Sequence, residues 1–145
     1  MKVLFASTAI LIATIVVAWS AGSSTVTYVS HDKVAAALAK GGSLVTSPDL
    51  LVSGSHRTGP GQVELHEKES DVLYVIDGAA TFVTGGTMVG GKTNKPGQML
   101  GTDIQGGETH HLTKGDVMVI PAGIPHWFKE VPQSISYYVV KVLKQ

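Results

Sequence analysis

An all-β domain carrying one short N-terminal helix is what this sequence predicts, and three observations predict it. Val, Ile, Thr and Tyr recur in short runs, and these residue types suit a pleated, half-buried surface. Seventeen glycines among 145 residues break those runs into turns. Ten strand-like segments, short and closely spaced, then fall at residues 26–29, 43–46, 49–56, 62–66, 71–77, 79–84, 109–112, 116–120, 125–131 and 135–143, a pattern that indicates a sandwich or a barrel. No internal repeat is visible.

The chain opens with Met1 and Lys2, an almost wholly apolar stretch from Val3 to Val17, and small residues from Ala18 to Ser24. A basic start, an apolar centre and an Ala-x-Ser site mark residues 1–21 as a secretory signal peptide, with cleavage expected after Ser20 or Ala21. An uncleaved anchor is the competing reading, although the apolar run is shorter than the roughly eighteen residues a spanning helix needs. The first reading places the protein in the periplasm or outside the cell, without stable membrane association after cleavage. There is no cysteine, so neither disulfides nor a lipidated thiol enter the account.

About 120 residues remain after residue 21, enough for one hydrophobic core and too few for two domains. Residues 22–44 are expected to form a strand and a helix, and residues 45–145 the barrel. Eleven basic residues balance eleven acidic ones, and no cluster of Lys or Arg occurs. Nucleic acid and anionic membrane are thereby excluded as partners.

The helix is expected over His31–Lys40. Ser30 stands at its N-cap, Asp32 in its first turn and Lys40 in its last, and Gly41-Gly42 ends it. Val34 and Leu38, four residues apart, would face the barrel. In the strand that follows, His56 and Arg57 are neighbours, so only one of them can point inward. If that one is Arg57, a carboxylate or phosphate on a ligand is its natural partner.

Chemistry concentrates in two stretches, Gly61 to Gly78 and Gly115 to Phe128. Glu64 and His66 are two apart, so on a strand both leave the same face, where they can chelate one ion. Glu67 to Ser70 suit a hairpin connection, after which Asp71 opens the run Val72 to Ile76 and returns a carboxylate toward the first pair. In the second stretch, Pro121, Gly123 and Pro125 force a tight turn that delivers His126. Two imidazoles and two carboxylates form a mixed nitrogen and oxygen set that suits one divalent metal ion such as manganese, iron or zinc. Each residue also has a plainer reading. The histidines could be structural, Glu64 could face solvent if the register slips by one, and Asp71 could cap the turn, with Glu69 as the alternative carboxylate.

Residues 85–108 form the longest irregular segment. Met88, Val89, Met99, Leu100 and Ile104 make it more apolar than a linker needs. A lid over the barrel mouth, packing on a neighbouring subunit, or a surface hairpin are the expectations. In the next strand His110 has the parity of Leu112 and is the candidate for the interior, leaving His111 outside. Phe128 shares the parity of His126 and is expected to wall the pocket, with Trp127 on the outer face. Val72, Tyr74, Ile76 and Trp127 make that outer face apolar, so a homodimer through sheet packing is expected unless the helix covers it.

The two stretches resemble the motifs of the cupin family. The family's second motif, G-x5-P-x-G-x2-H-x3-N, fits from Gly115 through Pro121, Gly123 and His126, with Glu130 where Asn is usual. The first, G-x5-H-x-H-x(3,4)-E-x6-G, is followed in spacing from Glu64 to Gly78. It departs in chemistry, since Glu64 takes the first His position and Asp71 the Glu position. The likeness spans roughly residues 45 to 143. It implies a small jelly-roll (double-stranded β-helix) barrel with Glu64, His66, Asp71 and His126 at the metal positions. It also implies a small-molecule ligand, and strand parity makes Phe128, His110 and either His56 or Arg57 the residues expected to border it. The function it suggests is a mononuclear metalloenzyme of dioxygenase, isomerase, lyase or cyclase type, with Glu64 as a candidate base. A non-catalytic module that binds a sugar or another small molecule is the alternative, and a purely structural metal is the third reading.

Overall fold

The structure, a computed structural model, describes residues 25–144, so the expected signal segment lies outside the described residues. Helix α1 (His31–Lys40) forms where propensity and end signals agree. Ser30 precedes it in extended conformation but caps through its backbone alone, its carbonyl accepting from Val34 N, and Gly41 ends it at φ 76°. Ala37 is the one helical residue that is fully buried, with Val34 and Leu38 half-buried beside it. It sits so close over Gly54 that a Cβ there would come within 2.8 Å of the Ala37 backbone. The strand expected at residues 26–29 does not form; Val26 and Tyr28 are exposed and no strand pairs with them.

The strands are β1 (Gly42–Thr46), β2 (Leu50–Arg57), β3 (Val63–His66), β4 (Glu69–Thr84), β5 (Thr87–Val89), β6 (Lys92–Lys95), β7 (Gln98–Gly101), β8 (Asp103–Gln105), β9 (Glu108–Thr113), β10 (Val117–Ile120), β11 (His126–Glu130) and β12 (Ile135–Leu143). Ten of them form one antiparallel sheet in the order β1-β2-β12-β4-β11-β3-β7-β6, with β9 and β10 also paired to β4. The sheet curls into the jelly-roll half-barrel that its motifs imply.

The two segments expected at 71–77 and 79–84 are one continuous strand. The first half of β4 pairs with β12 and β10, and its second half pairs with β9 and β11. The change of partners falls at Gly78, which has φ 81°, and a Cβ there would collide with the Ser134 carbonyl oxygen. Only glycine meets both requirements. Inside the curl lies the core, including Leu73, Val75, Phe82, Ile120, Phe128, Ile135 and Tyr137. Phe128 meets Phe82 edge-on at 4.6 Å and stacks on Tyr137 at 5.0 Å.

Residues 85–108 are regular rather than a lid. β5 and β8 form a two-stranded ribbon, and β6 and β7 form a hairpin turning at Gly97, φ 76°. β7 is hydrogen-bonded along the whole of β3, Glu64 opposite Leu100 and His66 opposite Gln98. The apolar residues that distinguished this segment are thereby half-buried against the sheet.

Gly78→Ala is expected to lower the unfolding free energy by about 2 kcal/mol or more, since it incurs both a left-handed backbone cost and a collision. Gly85→Ala has a similar φ, 74°, but open space around the new methyl, and should cost only about 1 kcal/mol. Denaturant midpoints for the pair check this; equal losses would show that the close approach at Gly78 carries no weight.

Candidate metal centre

Three elements deliver the polar cluster. β3 presents Glu64 and His66 to the interior, and Asp71 enters from β4 just past the tight connection after His66. The turn from Pro121 to Pro125 is held by Gly123 (φ 84°), whose N–H donates to the His66 carbonyl at 2.7 Å. It starts β11 at His126, which pairs with Glu64 on β3.

His66 is only 3% exposed, and neither ring nitrogen has a hydrogen-bond partner. Its Nε2 lies 3.3 Å from Glu64 Oε2 and 3.7 Å from Asp71 Oδ2, and its Nδ1 lies 3.6 Å from Glu69 Oε2. Buried polar groups are ordinarily satisfied, and leaving one bare costs about 1–3 kcal/mol. His126 is fixed from behind, its Nδ1 donating to the Ile124 carbonyl at 3.1 Å. That bond selects the tautomer whose Nε2 lone pair faces inward, 3.8 Å from Asp71 Oδ2. The two imidazole rings are 5.3 Å apart.

Two sets of donors lie close enough for one ion, each with its ligand atoms within 4.8 Å of one another: Glu64, His66 and His126, and His66, Glu69 and Asp71. The second set already has a cation. Lys141 Nζ donates to both oxygens of Asp71 at 2.9 Å and lies 3.1 Å from Glu69 Oε2. Sequence reasoning missed Lys141. The available signal was the inward parity of Ile135, Tyr137 and Val139 along β12, which Lys141, directly opposite Asp71, continues.

The other expected pocket residues separate. Arg57 and Phe128 line a cavity of about 170 Å³ that also touches Glu64, Asp71, His126 and Lys141. His56 does not join them: its register partner is Ser136, whose Oγ its Nδ1 meets at 2.8 Å on the outer side of the sheet. His110 faces the same side as Phe82 and Thr84, but β9 lies across β4 from β11. Its Nε2 bonds Thr84 Oγ1 at 3.0 Å, away from the cavity wall. Trp127 is half-buried, its Nε1 donating to the Gly61 carbonyl at 2.7 Å.

The approach of His66 holds the Glu64 carboxyl below its ordinary 4.5, outweighing burial, although the 3.3 Å contact lacks the alignment of a hydrogen bond. Burial lowers His126 below its ordinary 6.5. His126 is thus neutral, and Glu64 ionised, at neutral pH, the states in which both can donate to a cation. For both groups the unfolded chain binds more protons than the folded one as pH falls. Stability of the metal-free protein should therefore decline below about pH 6.5 through His126, and again below about 4.5 through Glu64. Melting temperature measured from pH 8 to 4 checks this, and in His126→Gln the decline starting near 6.5 should be absent. A flat profile in the unaltered protein would contradict the assignment.

A model of the cupin family matches residues 51–142. No curated protein matches the chain. Among solved structures, a protein from Bacillus halodurans, BH2720, is 17% identical with a TM-score of 0.52, covering 71% of this chain and 69% of its own. KdgF from a Halomonas species is 18% identical at TM-score 0.52, covering 72% and 79%. The cupin domain of Schizosaccharomyces pombe Cnp3 is 12% identical at TM-score 0.52, covering 71% and 59%. At such identities the likeness is one of fold, and it agrees with the curled sheet and the motif spacing. A fold of this kind and a family match across most of the described chain lead to one conclusion: the chain belongs to the cupin family.

Proposed function

We propose that this cupin is an exported metalloenzyme acting on a small oxygenated molecule, with one divalent ion held by Glu64, His66 and His126. The observation that carries the reading is His66, buried with both ring nitrogens bare in the midst of carboxylates. An imidazole so placed is costly as structure and well suited as a ligand. Two histidines and one carboxylate leave coordination positions open, which a purely structural site does not need. A bound first-row ion would supply Lewis acidity toward a carbonyl or enolate oxygen and, if iron, oxygen chemistry.

Glu64 serves here as a ligand rather than as a base. Its acidity is raised, its Oε2 faces His66, and its Oε1 lies 3.6 Å from Arg57 Nη2, all of which weaken it as a proton acceptor. Asp71 stands beside the three ligands, its Oδ2 3.7 and 3.8 Å from the Nε2 atoms of His66 and His126 and its own charge answered by Lys141. That same lysine favours a second reading, a metal-free binding module with a built-in cation.

Elemental analysis through a chelation and reloading series separates the two. The enzyme reading expects about one manganese, iron or zinc per chain. It expects loss of that ion in Glu64→Ala and His66→Ala, and near-full retention in Asp71→Asn. Unchanged metal content in Glu64→Ala, or none in the unaltered protein after reloading, would defeat it.

A homodimer is the proposed assembly. Val117 and Val119 are 60% and 62% exposed on the outer face of β10, beside exposed Tyr74 on β4 and Val142 on β12, while α1 packs on β1, β2 and the near side of β12. A second copy of this uncharged face is the simplest cover for it. Light scattering on the exported protein should give twice the chain mass, and Val117→Lys with Val119→Lys should halve it. Intact mass should also show loss of residues 1–20 or 1–21. A monomer before substitution, or an uncut chain, would refute the respective part.

A further inference from the structure

The reading of the site as a metal centre leaves Arg57 without a task. Its side chain enters the cavity from the last position of β2 and is immobilised on three sides. Nε donates to the Tyr137 hydroxyl at 3.0 Å, and the guanidinium carbon stands 4.8 Å over the centre of the Phe128 ring. Gly61 bounds the third side: a Cβ there would lie 2.8 Å from Arg57 Nη1. The backbone of Gly61 cannot back away. Its N–H donates to the Phe128 carbonyl at 2.9 Å, and its own carbonyl receives Trp127 Nε1. The guanidinium is therefore seated by an absent side chain on one flank and a ring on the other.

Among the described residues its two terminal nitrogens have no hydrogen-bond acceptor. The nearest anion, Glu64, is 3.6 Å from Nη2, beyond hydrogen-bonding distance. The other cation on the cavity wall, Lys141, is already taken by Asp71 and Glu69. The cavity thus holds one pre-positioned planar fork with its outer edge open, next to apolar walls from Leu73, Phe128 and Val139.

We propose that Arg57 is the specificity determinant of this site and that its ligand is a small carboxylate, bound by two parallel hydrogen bonds from the guanidinium edge. This rests on the preceding reading of the cavity as the substrate site. Planar two-oxygen anions match the fork in both spacing and plane. At about 170 Å³ the cavity lies below the roughly 300–1,000 Å³ of pockets for drug-sized molecules, so the acid is short. A phosphate ester would bring a second negative charge against Glu64 and Asp71, which line the same cavity.

Calorimetric titration of the full chain tests this, using acetate, lactate, pyruvate and malonate, each beside its uncharged amide, and inorganic phosphate. Each is run on reloaded and on chelator-treated protein whose metal content is measured on the same sample. At least one acid should bind about tenfold tighter than its amide, as a charge-assisted pair of bonds requires. That ratio should fall near unity in Arg57→Met and be only partly kept in Arg57→Lys. It should also shrink in Gly61→Ala, which keeps the charge and displaces the guanidinium, so that a misfolded Arg57→Met does not remove the test.

The proposal is overturned if no acid is preferred over its amide, if the preference survives in both Arg57→Met and Gly61→Ala, or if phosphate binds more tightly than every acid through Arg57. A preference lost on chelation but indifferent to Arg57 would credit the ion, refuting this role while sparing the metal centre. A preference that depends on Arg57 in protein that takes up no metal would uphold the role while the metal centre fails.

Discussion

Burying an imidazole with both nitrogens bare is a cost that the rest of this molecule is arranged around. His66 sits on a four-residue strand whose two edges are both occupied, by β11 on one side and β7 on the other, so it cannot turn toward water. The turn that carries His126 is tied by Gly123 to the carbonyl of His66 itself. One short strand thereby fixes the positions of both histidines and of Glu64. The hairpin at 92–101 contributes through the backbone, since pairing Leu100 with Glu64 and Gln98 with His66 makes β3 an interior strand and so holds its register.

Charge is balanced in the same economical way. Three carboxylates, Glu64, Glu69 and Asp71, gather around the two imidazoles, and the two cations of the cavity wall each answer part of that charge. Lys141 takes Asp71 and Glu69 at direct bonding distance, whereas Arg57 stays just outside it from Glu64. The difference follows from position. Lys141 lies directly across from Asp71 in the β4–β12 register, while Arg57 is held back by Tyr137 and Phe128.

What could be read from the sequence was whatever depends on period and on turn chemistry. Alternation placed Glu64 with His66 and gave most strands, and the end signals of α1 were local. The family motifs then joined two stretches far apart in the chain. What could not be read depends on partners. Whether His110 reaches the cavity is decided by which side of β4 its strand pairs on, and parity along one strand is silent about that. His56 and Arg57 were correctly opposed, but only the pairing of β2 with β12 says which faces in. The glycine-rich segment at 85–108 looked irregular because its strands are only three or four residues long, too short to show a period. Lys141 was hidden because a lysine near the end of an apolar strand reads as a solvated residue, and its buried partner comes from a strand seventy residues earlier.

The sixteen residues of β4 run unbroken through both walls of the barrel, changing partners at Gly78. Neither wall can open alone, because each would have to strip hydrogen bonds from a backbone the other still holds. Opening of one wall is therefore coupled to the other through a shared backbone. The ribbon of β5 and β8, whose strands pair with each other, and the exposed β6 hang off that spine, so a change there reaches the barrel through fewer backbone bonds.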